Sequence, residues 1–332
     1  SSEEKMKCEV LKQKCEKFRS KEFFEPNDIT DELHTDDEAT LKKWRAILDS
    51  EKEEKIRLIK KHCFKGIPND FRLEAWNALL EDISVTCMEN IPVTYKNDLD
   101  VIFHDLPRIR GKHPLLNEEN SIYNRRLFEM LFKFYLNNPK VGYYQGLDNV
   151  AAVFLLNFRE FKDEILIFSI FSKAIEMIKV PLLVGDFKNF RSFCVDTEKL
   201  IEKHLKDCSI ILDFDYLRDA LLMQYYITLF CRFDIRRSAR FLDVIFAHGI
   251  KTMHYFCIAV LYLYEDEFKK CKGCEIMASE VVQRIKNNGI ETVNIDKVMK
   301  LVATKFMKVE NCYSKGGFFK FFKWAYRMFT FY

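Results

Sequence analysis

Turn-forming residues are scarce in this chain, with 10 glycines and 7 prolines among 332 residues. Sandwiches and barrels need many tight turns, so the shortage argues against an all-β fold and for long helices. Long apolar runs are missing as well. The longest, Tyr255 to Tyr264, is about half of the ~20 residues a membrane-crossing helix needs, and reads as a core segment. Charge of one sign is also lacking. The 53 Lys plus Arg against 50 Asp plus Glu leave +3, too balanced for a protein whose main partner is a nucleic-acid backbone. No Gly-rich phosphate loop with a following Lys and Ser or Thr is present, so no nucleotide is expected to bind to the chain itself. The 11 cysteines follow no regular framework and no secretory signal precedes them, which reads as reduced thiols in the cytoplasm. Cys271 and Cys274 have C-x-x-C spacing, but a zinc site needs two further ligands, and neither a second pair nor an H-x-x-x-H appears. Two ordinary thiols are the plainer reading.

What is present points to an all-α fold. Residues 1–34 are dense in Lys and Glu with few apolar anchors, and suggest a solvated helix or a poorly ordered arm. Thr35 and Glu38 resemble a capping box ahead of Leu41, Trp44 and Leu48, which recur at helical spacing in a lead-in helix within 35–61. Asn69 or Asp70 is expected to cap the next helix, where Ala75 with Leu79 and Trp76 with Leu80 form apolar i, i+4 pairs. Further helices are expected at about 94–104, 121–136, 146–157, 160–178, 187–206, 215–231, 236–247, 252–269, 275–287 and 295–309. Pro68, Pro107, Pro114, Pro139 and Pro181 fall between these segments, where a missing N–H costs nothing.

Three short motifs stand in the first half. Gly66-Ile67-Pro68 is followed by Arg72, Trp76, Leu79 and Leu80. Ile102, Asp105 and Arg108 follow the pattern I-x-x-D-x-x-R. Gly142-Tyr143-Tyr144-Gln145-Gly146 follows G-Y-x-Q-G. Each alone is weak, but together and in this order they resemble the TBC family of Rab GTPase-activating proteins. Asn138-Pro139, His204-Leu205 and Thr228-Leu229-Phe230 resemble further landmarks, so the likeness covers roughly residues 62–270. The resemblance implies a TBC-domain fold of two helical subdomains, here with helical extensions before residue 62 and over 271–332. It implies that Arg108 and Gln145 are the two catalytic fingers lent in trans, that Asp105 aims the arginine, and that Arg72 and Trp76 hold the N-terminal helices together. The partner would be a Rab-family small GTPase in its GTP state. GTP and Mg²⁺ would come with that partner, the chain having no cofactor of its own.

The residue types suit these roles on physical grounds. GTP hydrolysis passes through a loose phosphoryl transition state whose negative charge needs a cation. Arginine supplies one as a planar fork of donors. A glutamine amide both donates and accepts, so it can hold a water in line with the γ-phosphate. Gly146 would permit close approach of a partner's backbone, and Tyr143 and Tyr144 are amphipathic contact residues, at least one expected to pack. Without the motifs, Arg108 would read as a surface ion pair and Gln145 as a solvated side chain.

The chain departs from the family pattern in three places. Tyr225 and Leu242 stand where the family usually has Trp, and Leu147-Asp148 replaces Met-Asn after the Gln-Gly. The first two read as core substitutions, and Asp148 either perturbs the site one turn from Gln145 or, the plainer reading, is a carboxylate complementing a helix start. These departures keep an alternative open: a catalytically inactive TBC scaffold that binds a GTPase or another protein. At the other end, Lys320, Lys323 and Arg327 lie among nine aromatics over 318–332. Such a basic amphipathic helix either packs its aromatic face on the core, the commoner outcome, or lies on an anionic membrane. The expected location is cytoplasmic, with peripheral endomembrane contact if the second holds.

Overall fold

A computed structural model describes residues 2–26, 36–85, 98–109, 112–138, 141–183, 188–289 and 294–309. The aromatic segment 318–332, Thr35 and Pro139 lie outside these residues. Among the described residues there is no β-strand, only one isolated bridge between Phe24 and Ser121, and the fold is all-α as composition predicts.

Short acidic caps start several of the helices. Asp37 accepts the Thr40 amide N–H at 2.7 Å and begins Glu38–Leu48, so Glu38 is the first helical residue and its neighbour does the capping. Asp163 and Asp234 cap Glu164–Ile178 and Ile235–His248 in the same way. Asn69–Leu79 begins directly after Pro68 with no side-chain cap, because Asn69 turns its oxygen to the Arg72 guanidinium at 3.0 Å. The expected cap at Asn69 or Asp70 is therefore absent, and a buried arginine has taken the acceptor.

The helix expected over 215–231 is broken. Phe214–Leu217 runs through a wide π-turn, Arg218–Leu222, into Met223–Tyr226, after which Leu229 and Phe230 both adopt left-handed backbone (φ 50° and 60°). Thr228 helps to end it, since its hydroxyl donates to the Gln224 carbonyl at 2.6 Å in competition with the backbone. The apolar periodicity continues, yet Leu229 and Phe230 reach the core only through this reversal. Segment 252–269 similarly divides into Thr252–Leu263 and Glu265–Lys270.

Packing sorts the helices into two halves. In the first, Leu147–Asn157 lies at the centre against Ile122–Asn137, Glu164–Ile178 and Ile235–His248, and every residue of it except Asn149 is buried. In the second, Lys188–His204 packs on Thr252–Leu263, which packs on Ile295–Leu301. Ile235–His248 touches both halves and joins them. Trp76 sits in the first core with ring centroids of Phe154, Phe158 and Phe246 at 5.0–5.3 Å.

Of the two expectations for the N-terminal segment, a solvated helix or a poorly ordered arm, the helix is found over Ser2–Arg19, but it is packed on the body where solvation was expected. Ser2–Arg19 is a helix that buries Leu11 and Cys15 and sets Phe18 against Phe103 and Phe128. Arg19 makes two bonds to Glu129 at 2.7 Å each, and Lys21 reaches Glu119. The apolar anchors are few but spaced three and four apart, enough for one narrow stripe.

Candidate functional site

The helix Asp98–Asp105 ends in a turn closed by the Arg108 N–H donating to the Asp105 carbonyl at 2.8 Å. Leu106 and Ile109 are buried on either side, which pins the turn and leaves the Arg108 side chain 64% exposed. Arg108 Nη1 donates to Asp105 Oδ1 at 2.8 Å. Asp105 is itself buried, and its other oxygen accepts the Tyr143 hydroxyl at 2.8 Å. One carboxylate thus ties the arginine turn to the G-Y-x-Q-G loop. Burial, helped by Asp148 and Asp105, pushes the Tyr143 phenol well above its ordinary range, so it remains a donor.

Along that loop, the Tyr144 hydroxyl donates to the Ile227 carbonyl at 3.0 Å, and both tyrosines are committed to packing. Gln145 is exposed, and its amide makes no hydrogen bond to a described residue. Gly146 has φ 106°, and a Cβ there would lie 2.8 Å from the Thr228 methyl. The close approach it permits is therefore to this chain's own Thr228, where sequence reasoning had placed a partner's backbone. Leu147–Asn157 begins at the next residue, so Gln145 stands at the head of the most enclosed helix of the first half.

Asp148 does close that helix start. Its Oδ1 accepts the Gly146 N–H at 3.1 Å and the Asn149 amide at 3.2 Å. Burial, then the Asp105 charge, raises its carboxyl above the usual range, while Lys112 opposes the rise. Lys112 is a residue that sequence reasoning missed. Its Nζ donates to Asn149 Oδ1 at 3.1 Å and to the Cys231 carbonyl, and burial pushes its ammonium down to about 8. A lysine in a loop rich in Arg and Lys carries no sequence signal; only the approach of the turn around Cys231 covers it.

Arg72 and Trp76 lie away from these loops and serve the fold. Asp243, fully buried, accepts from Arg72 Nε at 3.0 Å, from the Trp76 indole N–H at 2.9 Å and from the Ile67 N–H at 3.0 Å. Arg72 also reaches Asn157 and the Ile67 carbonyl. This carboxylate is the second residue missed, visible in sequence only as the neighbour of a departure. Tyr225 and Leu242 are both buried, and the Tyr225 hydroxyl donates to the Ile285 carbonyl at 3.0 Å. Among the described residues no group of three or more His, Cys, Asp or Glu could hold a metal ion.

Fold and site together define an all-helical domain that presents an arginine and a glutamine on two loops joined by one carboxylate. The chain belongs to the Rab-GTPase-TBC domain family, whose family model matches residues 42–269. It is 21% identical over 222 residues to the human ecotropic viral integration site 5 protein homolog, covering 65% of this chain and 27% of that protein. It is 23% identical over 266 residues to mouse TBC1 domain family member 4, covering 73% and 19%. The chain thus spans about a quarter or less of these relatives' length. The crystal structure of the YPT/RAB-GAP domain of Gyp1p superposes with a TM-score of 0.59 at 14% identity, covering 81% of this chain and 97% of that one. That likeness shows the fold. No helix among the described residues is long and apolar enough to cross a membrane.

Proposed function

We propose that this chain accelerates GTP hydrolysis by a Rab-family small GTPase in its GTP state, lending Arg108 and Gln145 in trans and so regulating vesicle trafficking. The partner carries GTP and Mg²⁺; the chain is an activator and has no cofactor of its own. The observation that carries the reading is Asp105, whose two oxygens hold Arg108 and Tyr143 and so set the arginine turn and the glutamine loop in one register. Arg108 would neutralise charge developing on the transferred phosphoryl group, and the exposed Gln145 amide would orient the attacking water. Both jobs need side chains held by rigid elements yet open to a partner, which fits the exposure of the two side chains.

An inactive scaffold that binds a GTPase without accelerating it is the second reading. The Arg108–Asp105 ion pair favours it, since the arginine must leave or share that partner to reach phosphate. Arg108 is nevertheless 64% exposed and gives Asp105 one N–H, so its remaining donors can meet a phosphate while that bond stays in place. The proposed setting is the cytoplasm, with peripheral endomembrane contact only if residues 318–332 lie on a membrane instead of packing on the core, the commoner outcome for such a helix.

Single-turnover GTP hydrolysis against a panel of GTP-loaded Rab proteins tests the proposal. At least one should be stimulated, and Arg108→Ala should lower that stimulation by about 10³ or more, with little change in melting temperature. Binding without stimulation of any Rab would establish the scaffold reading instead.

A further inference from the structure

Lys112 lies four residues beyond Arg108, and the groups around it belong to three separate segments. It donates to Asn149 Oδ1, on the third residue of the helix that Gln145 precedes. Asn149 in turn donates to Asp148, and the same Asp148 oxygen accepts the Gly146 N–H. Lys112 also donates to the Cys231 carbonyl. That carbonyl directly follows Leu229 and Phe230, two residues in the left-handed backbone region that side-chain-bearing residues rarely adopt. The turn they make is the one that supplies the Ile227 carbonyl to Tyr144 and the Thr228 methyl against Gly146. Arginine turn, glutamine loop and reversed turn therefore meet at one ammonium group.

The charges are matched within this cluster. Asp148 is buried, and among the described residues no guanidinium or ammonium is hydrogen-bonded to its carboxylate directly; the half-buried Lys112, one amide away, lowers its proton affinity. A carboxylate in place of the family's usual asparagine thus stands beside a lysine that reaches it through Asn149.

We infer that Lys112 is a positioning residue for Gln145, holding the G-Y-x-Q-G loop against the Thr228–Cys231 turn so that the glutamine is presented in one orientation. The lysine is half-buried, and its ammonium is spent on Asn149 and the Cys231 carbonyl. Its influence passes through Asn149, Asp148 and the Gly146 N–H on one side and through the Cys231 carbonyl on the other. The effect on hydrolysis rests on the function proposed above; the effect on the loop does not.

The test therefore has two arms, both on the full chain. Hydrogen exchange in Lys112→Met should rise by about tenfold or more in peptides spanning 142–149 and 227–231, with exchange across Asn69–Leu79 and Thr252–Leu263 unchanged. Asn149→Ala, which cuts the link from the other side and leaves the lysine in place, should loosen 142–149 likewise and covers the case in which Lys112→Met does not fold. In single-turnover hydrolysis with a stimulated Rab, Lys112→Met should lower the maximal rate about tenfold while the half-saturating concentration moves less than about threefold. Added to Gln145→Ala it should cost less than a further factor of about two, because both changes act on the same side chain. Unchanged exchange at 142–149 in both variants would overturn the inference, and so would a full further loss in the Gln145→Ala background. If no Rab is stimulated by the unmodified chain, the proposed function fails, and the exchange arm still decides whether Lys112 holds the loop.

Discussion

Asp243 shows how much one buried carboxylate can hold. Its oxygens accept from a guanidinium, an indole N–H and a backbone N–H, drawn from the Gly-Ile-Pro turn and the Asn69–Leu79 helix. Removing it leaves Arg72 buried and uncompensated, a loss of about 3–5 kcal/mol. Asp243→Ala should accordingly shift the denaturant midpoint strongly downward, with Asp243→Asn intermediate because an amide oxygen can still accept from Trp76. A midpoint within error of the unmodified protein would mean that Arg72 finds another partner. Gln145 invites a different test at the same scale. In GTPases served by an arginine alone, their own switch glutamine orients the water, and replacing it blocks stimulated hydrolysis. If Gln145 does that work, a cognate Rab whose switch glutamine is changed to Leu should still be stimulated, while Gln145→Ala should lose stimulation with the unmodified Rab. The opposite pair of results would leave this chain supplying Arg108 alone.

At the scale of elements, the junction between the G-Y-x-Q-G loop and the Thr228 turn is set by contact distances. A Cβ at position 146 would lie 2.8 Å from the Thr228 methyl, on a backbone at φ 106°. Gly146→Ala should therefore destabilise by about 1–3 kcal/mol through strain and overpacking. Thr228→Ser removes the methyl but keeps the hydroxyl that bonds Gln224. In the double variant the steric part should be recovered and the backbone part should remain, so thermal melts should show partial rescue. Full additivity of the two changes would place the cost in the backbone alone. The same junction is why the helical pattern over 215–231 stops being a helix after Tyr226. Its residues are apolar at helical spacing, and nothing local announces that Leu229 and Phe230 reverse the chain to meet a loop 80 residues away.

For the whole molecule, the N-terminal helix is part of the body it was expected to hang from. Phe18 covers Phe103 and Phe128, and Arg19 stacks over the Phe132 ring at 4.7 Å while bonding Glu129. Phe103 lies on the helix whose end carries Arg108. Deleting residues 1–26 should lower the melting temperature by several degrees, since it uncovers aromatic surface worth about 25 cal/mol per Å². Hydrogen exchange should rise first over Asp98–Asp105 and Ile122–Asn137, whose faces the helix shields. An unchanged melting curve would show that those rings find cover without it.

Composition and pattern by themselves determined the class of this protein. Few turn formers and 3.6-residue apolar spacing leave only a helical fold; the prolines do not all fall in gaps, since Pro114 opens a helix and Pro181 lies within the π-turn Lys179–Leu183. Three ordered motifs then bring Arg108 and Gln145 into view with Asp105 between them in role. These are local properties: helix propensity, periodicity and short spacing are written in consecutive residues. Tertiary structure alone decided the rest. Asp105 faces Tyr143 across 38 positions, Lys112 meets Cys231 across 119 and Arg72 meets Asp243 across 171. Asp37 rather than Thr35 with Glu38 caps the lead-in helix, and Asn69 gives up capping for Arg72, because a nearby acceptor goes to whichever donor would cost more left unpaired. A buried charge has no signature in its neighbours along the chain. Its partner is set by which surfaces the helices bury together, and desolvation then makes that pairing obligatory.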